Sequence, residues 1–246
     1  MTRQHLKESA LKLTKNIILA SLLLPVASFA LGWSGNQLDG APCVGKGQGF
    51  GPYDYVRAKS GQDPEYYQST RLWEIDRIHF GKGMTNMQSE PLTYQSSRVI
   101  AGEFDYTLRA FPTHIGALNA IAELELKRIE SNKLAQKQSE VIRPFQTPPE
   151  CYFIRAAVYK SDQANIPLLH AIYLHRLKKY NEAANYYEKS LAIEDENPEA
   201  HYNYGLVLIK LNRYDDAKEH AVKAYKQGHQ LSGLKSLLQE KGKWDD

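Results

Sequence analysis

The pattern of apolar and polar positions divides the chain into two unequal parts. From about residue 96 onward, apolar side chains recur three and four positions apart, the spacing that lines one face of a helix. SSRVIAGEFDYTLRAF (96–111) predicts a helix halted at Pro112, and THIGALNAIAELELKRIES (113–131) predicts a second amphipathic helix. Residues 132–149 are polar, carry Pro144, Pro148 and Pro149, and predict a loop after a fraying helix end. Helical spacing resumes at CYFIRAAVY and holds nearly to the end. Residues 31–95 differ. Gly, Pro, Ser, Gln and Asn dominate there, and they predict an irregular segment with short apolar patches such as LWEIDRIHF (72–80), whose pattern fits a helix or a strand equally.

The helical part repeats. Residues 164–197 align with 198–231 at a period of 34, placing Ala171 over Gly205, Leu174 over Leu208, Tyr180 over Tyr214 and Ala183 over Ala217. KKYNEA and NRYDDA occupy the same turn between two helical halves. YNYG (202–205) followed by Ala217 resembles the tetratricopeptide repeat, as does the whole pair of segments. Departures fall at Pro167, Ser190, Ala221 and Gln227-Gly228-His229. The resemblance implies an all-α fold, a short α-solenoid of antiparallel helix pairs behind an irregular amino-terminal segment. Degenerate helices of the same kind are expected over 96–163, with 96–111 as the trailing helix of a still more degenerate unit, then two repeats over 164–231 and a capping helix over 232–246. GPYDY, DYTLRAFP and the CYF and RAA of CYFIRAA also resemble an uncharacterised group of exported bacterial repeat proteins, a likeness that supplies no activity.

Residues 1–30 stand apart. Arg3, Lys7, Lys12 and Lys15 precede an uncharged apolar run, 17–31, that ends in small residues at Ser28 and Ala30. That order predicts a signal peptide cleaved after Ala30 and a periplasmic or secreted protein; an uncleaved anchor is the alternative and would be the one contact with a membrane. The run is short for a span, which needs roughly 20 apolar residues. Setting the segment aside leaves 27 of the 31 basic and 27 of the 28 acidic residues, so the remainder is formally neutral and offers no footprint for nucleic acid. Export also changes the reading of Cys43 and Cys151. In an oxidising compartment they are expected to form a disulfide, with two buried thiols as the alternative.

Candidate chemistry is sparse. CVGKGQGFGPYDY (43–55) has glycines at 45, 47, 49 and 51, but it lacks the order of a Walker loop or a dinucleotide fingerprint. It reads as an extended segment with a bare face for close packing. No HExxH, GxSxG or Cys/His cluster occurs, so neither an enzyme, a metal site nor a cofactor is expected. A protein or peptide partner is expected instead. The resemblance places the inward positions of the leading helices at Leu168, Ile172, His175 and Arg176, then at Tyr202, Asn203, Leu206 and Lys210, with Asn119, Glu123 and Lys127 in the degenerate copy. Two alternatives remain: a stabilising subunit of an envelope complex whose groove is filled by its own 43–60 segment, or an enzyme with an unrecognised site gathering Cys43, Asp54 and His79.

Overall fold

The structure, a computed structural model, describes residues 33–47, 50–62, 67–89, 91–135, 137 and 140–244. The expected signal segment and its cleavage point lie outside the described residues. The helices are α1 (Tyr55–Ser60), α2 (Tyr67–Ile75), α3 (Gly81–Ser89), α4 (Tyr94–Ala110), α5 (Ile115–Leu134), α6 (Pro149–Tyr159), α7 (Asn165–Arg176), α8 (Tyr180–Ile193), α9 (Pro198–Lys210), α10 (Tyr214–Lys226) and α11 (Gly233–Glu240). A π-helical turn, Asp76–Phe80, joins α2 to α3. Among the described residues no strand forms; a single bridge pairs Asn36 with Pro42. The fold is an all-α solenoid of stacked helix pairs.

The period of 34 is written into the backbone. α7 and α9 both end on a residue in the left-handed region, Lys178 (φ 62°) and Asn212 (φ 60°). In each case the next amide reaches back to the helix: Lys179 N donates to the Leu174 carbonyl at 3.0 Å and Arg213 N to the Leu208 carbonyl at 2.9 Å. This is the bond by which a helix closes its last turn before reversing. At the end of α10 the same role falls to Gly228, with His229 N donating to the Ala224 carbonyl. Small residues then let the paired helices meet: Ala171, Ala183, Ala200 and Ala217 have no exposed surface. Gly205 does this at the end of the stack, where an added Cβ would lie 2.4 Å from Leu234 Cδ2 of α11. Leu234 and Leu238 are fully buried, so α11 covers the last repeat as expected of a cap.

The segment 31–95, expected to be irregular, carries α1, α2, the π turn and α3. α1 starts on Asp54, whose carboxylate accepts from Arg57 N, and ends on Gly61 at φ 71°. The ambiguous patch at 72–80 is helical, with Leu72 and Ile75 packed on Ala110 and Phe111 at the end of α4. Glycines serve close contacts here and at the start of the helix Ile115–Leu134. An added Cβ at Gly83 would lie 2.6 Å from the Phe104 ring, and one at Gly116 would lie 2.9 Å from Phe80. The run α2–π–α3 thereby becomes the leading partner of α4, so the helical stack begins ahead of residue 96, where the periodicity starts.

The next pair, α5 and α6, is separated by the loop that follows Leu134. α5 begins on a histidine: His114 Nδ1 accepts from Ala117 N at 3.0 Å, and Nε2–H then donates to Asp76 Oδ1 at 2.7 Å. Its ring packs between Tyr55 and Phe80. One side chain thus caps a helix and ties it to the π turn.

Candidate functional site

The residues implied to line the groove fall on α7 and α9, which share a face with α5. They do not all reach its surface. Leu168 and Tyr202 are buried, 5% and 7% exposed, and belong to the core of the repeats. Tyr202 stacks on His229 with centroids 4.0 Å apart, and its hydroxyl sits beside Gly233, under the cap. The cap claims it because α11 folds back over α9, which periodicity within one repeat does not register. Ile172 and Leu206 are half-buried against the same core.

The polar positions stay accessible. Arg176 pairs with Glu123 across α7 and α5, which brings the degenerate copy's candidate beside the repeat's own. His175 lies half-buried with its ring edge toward Tyr180; burial lowers its pKa, and the Lys210 charge adds to that. His175 and Lys210 therefore share one neighbourhood on adjacent leading helices. Asn203 is half-exposed and its amide makes no hydrogen bond among the described residues. Asn119 is exposed, whereas Lys127 turns to the Met87 carbonyl at 3.0 Å. The accessible face is a strip of Glu123, Arg176, His175, Lys210 and Asn203 over half-buried aliphatics. Such a strip can offer hydrogen bonds and charge to a polypeptide, with no pairing suited to nucleophilic chemistry.

The described parts of the amino-terminal strap, residues 33–47 and 50–54, run elsewhere. Cys43 and Cys151 are bonded, with Cα atoms 5.4 Å apart, closing a separation of 108 residues. Closure on that scale stabilises by on the order of 4–5 kcal/mol in the chain-entropy account. Around the bond, Leu38 N donates to Glu150 Oε1, Thr147 Oγ1 to the Val44 carbonyl, and Tyr53 N to the Ala110 carbonyl. Described contacts of the strap thus fall on α2, α4, α6 and the loop before α6, and among the described residues none of the strap covers the accessible strip on α7 and α9. The bare-face idea holds at Gly45, where Trp33 occupies the space of a Cβ, and fails at Gly47, which faces open space.

Arg155 is the largest fully buried side chain among the described residues and was invisible as such in the sequence. Its guanidinium donates to the Leu108 carbonyl at 2.8 Å and the Arg109 carbonyl at 3.3 Å, the unsatisfied end of α4, and packs over Trp33. Burial lowers its pKa to about 10. Beside it Tyr152 donates to Asp105 Oδ1 at 2.7 Å, and Arg109 holds the other carboxylate oxygen at 3.0 Å. An arginine within an apolar helical run is the one signal that could have pointed to it.

Cys43, Asp54 and His79 do not converge. Cys43 is in the disulfide, Asp54 caps α1 and pairs with Lys160 at 2.8 Å, and His79 meets Glu103 at 2.6 Å while stacking on Tyr106. Among the described residues no group of His, Cys, Asp and Glu is arranged to hold a metal ion.

Comparison with known proteins agrees with this architecture at the level of the repeat. Residues 174–238 match the family described as tetratricopeptide repeat, spanning the end of α7 to α11. The match covers about a quarter of the chain and defines the helix-pair repeat over those residues. Two solved structures show a weaker overall likeness. MamA AMB-1 is 13% identical, over 74% of this chain and 91% of that one, with a TM-score of 0.38. The crystal structure of MamA is 12% identical, over 78% of this chain and 99% of that one, with a TM-score of 0.39. No curated protein matches the chain.

Proposed function

We propose that this chain is an exported protein-binding module of the bacterial cell envelope that holds a polypeptide partner on the leading-helix face of its repeats. The observation that carries this reading is the uncovered strip on α7 and α9. Asn203 has an amide that no described residue bonds, Lys210 lies exposed beside His175, and the described part of the strap that could have filled the groove packs on α4 and α6. Export is supported by the amino-terminal pattern and by the Cys43–Cys151 bond, since disulfides persist in oxidising compartments.

The test is affinity capture from envelope extract with the wild-type protein and an Asn203→Ala/Lys210→Glu variant. Tyr202 is unsuitable as a probe, because its removal would empty the space under the cap. The variant should keep the thermal midpoint and lose the captured partner; a partner retained in full removes the groove from consideration. Sequencing the amino terminus of protein isolated from the envelope should read from Leu31. A protein still beginning at Met1 would contradict cleavage.

A further inference from the structure

A second cleft lies away from the repeat groove, between α4, the loop before α6, and the strap. Its volume is about 330 Å³, within the range of sites that hold ligands. One face of α4 forms the wall: Tyr94, Arg98, Ala101, Gly102 and Asp105 follow helical spacing and all line it. Arg143 enters from the loop and Lys46 from the strap.

Charge is unbalanced there. Asp105 is already satisfied, by the Tyr152 hydroxyl on one oxygen and by Arg109 on the other. Lys46, Arg98 and Arg143 have no carboxylate partner among the described residues, and Arg98 merely leans on the Tyr94 ring and hydroxyl. The three cations arise on three separate segments that only the tertiary structure brings to one rim. Between them the floor is small and apolar. An added Cβ at Gly102 would meet nothing within 4 Å, and Ala101 and Ile121 lie beside it. Lys46 is held at the rim by its backbone: its carbonyl accepts from Trp33 Nε1 at 3.0 Å, and Cys43, three residues earlier, is bonded to Cys151.

We propose that this cleft binds an acidic polypeptide segment, with carboxylates at the cationic rim and an apolar side chain over Gly102. A compact anion such as phosphate would use the cations but not the apolar floor, and a neutral peptide would use the floor but leave the cations unanswered. The site differs from the repeat groove in elements and residues, so it stands whether or not that groove binds a partner. The disulfide belongs to it as a builder of its rim.

Isothermal titration calorimetry on the full chain tests it. The probe is Ac-Glu-Leu-Glu-Leu-Glu-NH2, with the Gln-for-Glu peptide and inorganic phosphate as comparisons. The acidic peptide should bind more weakly as salt rises, and an Arg98→Gln/Arg143→Gln variant should weaken it by about tenfold. Gly102→Leu should abolish binding by filling the floor while leaving the thermal midpoint at or above wild type, because the Cβ meets no atom and helix propensity improves. Failure of the acidic peptide to bind, equal affinity for the Gln peptide or for phosphate, or unchanged affinity in both variants would each overturn the proposal.

Discussion

The two regular repeats and the strapped amino-terminal half solve the same packing problem by different means. From α7 to α10, cohesion is repetitive and local: alanines at the crossings, tyrosines beside them, and the same left-handed turn at Lys178 and Asn212. From the strap to α6, cohesion is long-range and singular. One disulfide, one buried arginine, one Tyr–Asp–Arg set and one capping histidine join segments far apart in the chain. The repeats bury mostly apolar surface; of the polar groups that intrude, Ser190 and His201 are hydrogen-bonded, whereas His170 Nε2 and Tyr187 OH have no partner among the described residues. The amino-terminal half buries charge and satisfies it. Where the repeat degenerates, hydrophobic stacking alone no longer fixes the register, and bonds of definite geometry replace it.

The largest effect that would sharpen this contrast comes from Arg155. Arg155→Ala removes a fully buried side chain and leaves the Leu108 and Arg109 carbonyls bare, at a cost of about 3–5 kcal/mol in urea unfolding. A cost below about 1 kcal/mol would mean that α4 is terminated by something else.

Acid should act next, and mainly on the repeats. His170 on α7 is held at about 3 and His220 on α10 at about 4, in both cases chiefly by burial, and His201 on α9 is lowered by burial too. Their ordinary value is 6.5. The unfolded chain therefore binds protons that the folded repeats refuse. This contribution to stability is complete above pH 6.5 and shrinks as pH falls toward 4 and then 3. Hydrogen exchange should show α7–α10 losing protection first on acidification. Loss beginning in α4–α6 would break the comparison.

The smallest test is one substitution made twice. Tyr152→Phe takes a hydrogen bond from a buried carboxylate and should cost about 1–3 kcal/mol. Tyr187→Phe deletes a buried hydroxyl that bonds to nothing among the described residues, and should be neutral or stabilising by up to about 1 kcal/mol. Equal costs at the two sites, read from denaturation midpoints, would erase the distinction between the halves.

Much of the repeat region was legible because its determinants are local and recur. Ala171 and Gly205, Ala183 and Ala217, and the turn residues stand 34 apart in the sequence and in the structure alike. The helices at 55–89 were not legible, since glycine weakens helical propensity whatever the reason for its presence. Gly83 is small because the Phe104 ring occupies the space above it, a fact that lives in the partner helix. The candidate groove was legible in part for a similar reason. The resemblance to the repeat family implies His175, Arg176, Asn203 and Lys210, which keep accessible surface, but it does not register that α11 and His229 close over Tyr202.

The sequence by itself determined the helix-pair unit and its period. These follow from side-chain size and spacing within about forty residues. Tertiary structure alone decided that Cys43 meets Cys151, that Arg155 caps α4 from another helix, and that Lys46, Arg98 and Arg143 surround one cleft. Each of these joins residues on segments far apart in the chain, where no periodicity connects them and only the packed chain sets the distance.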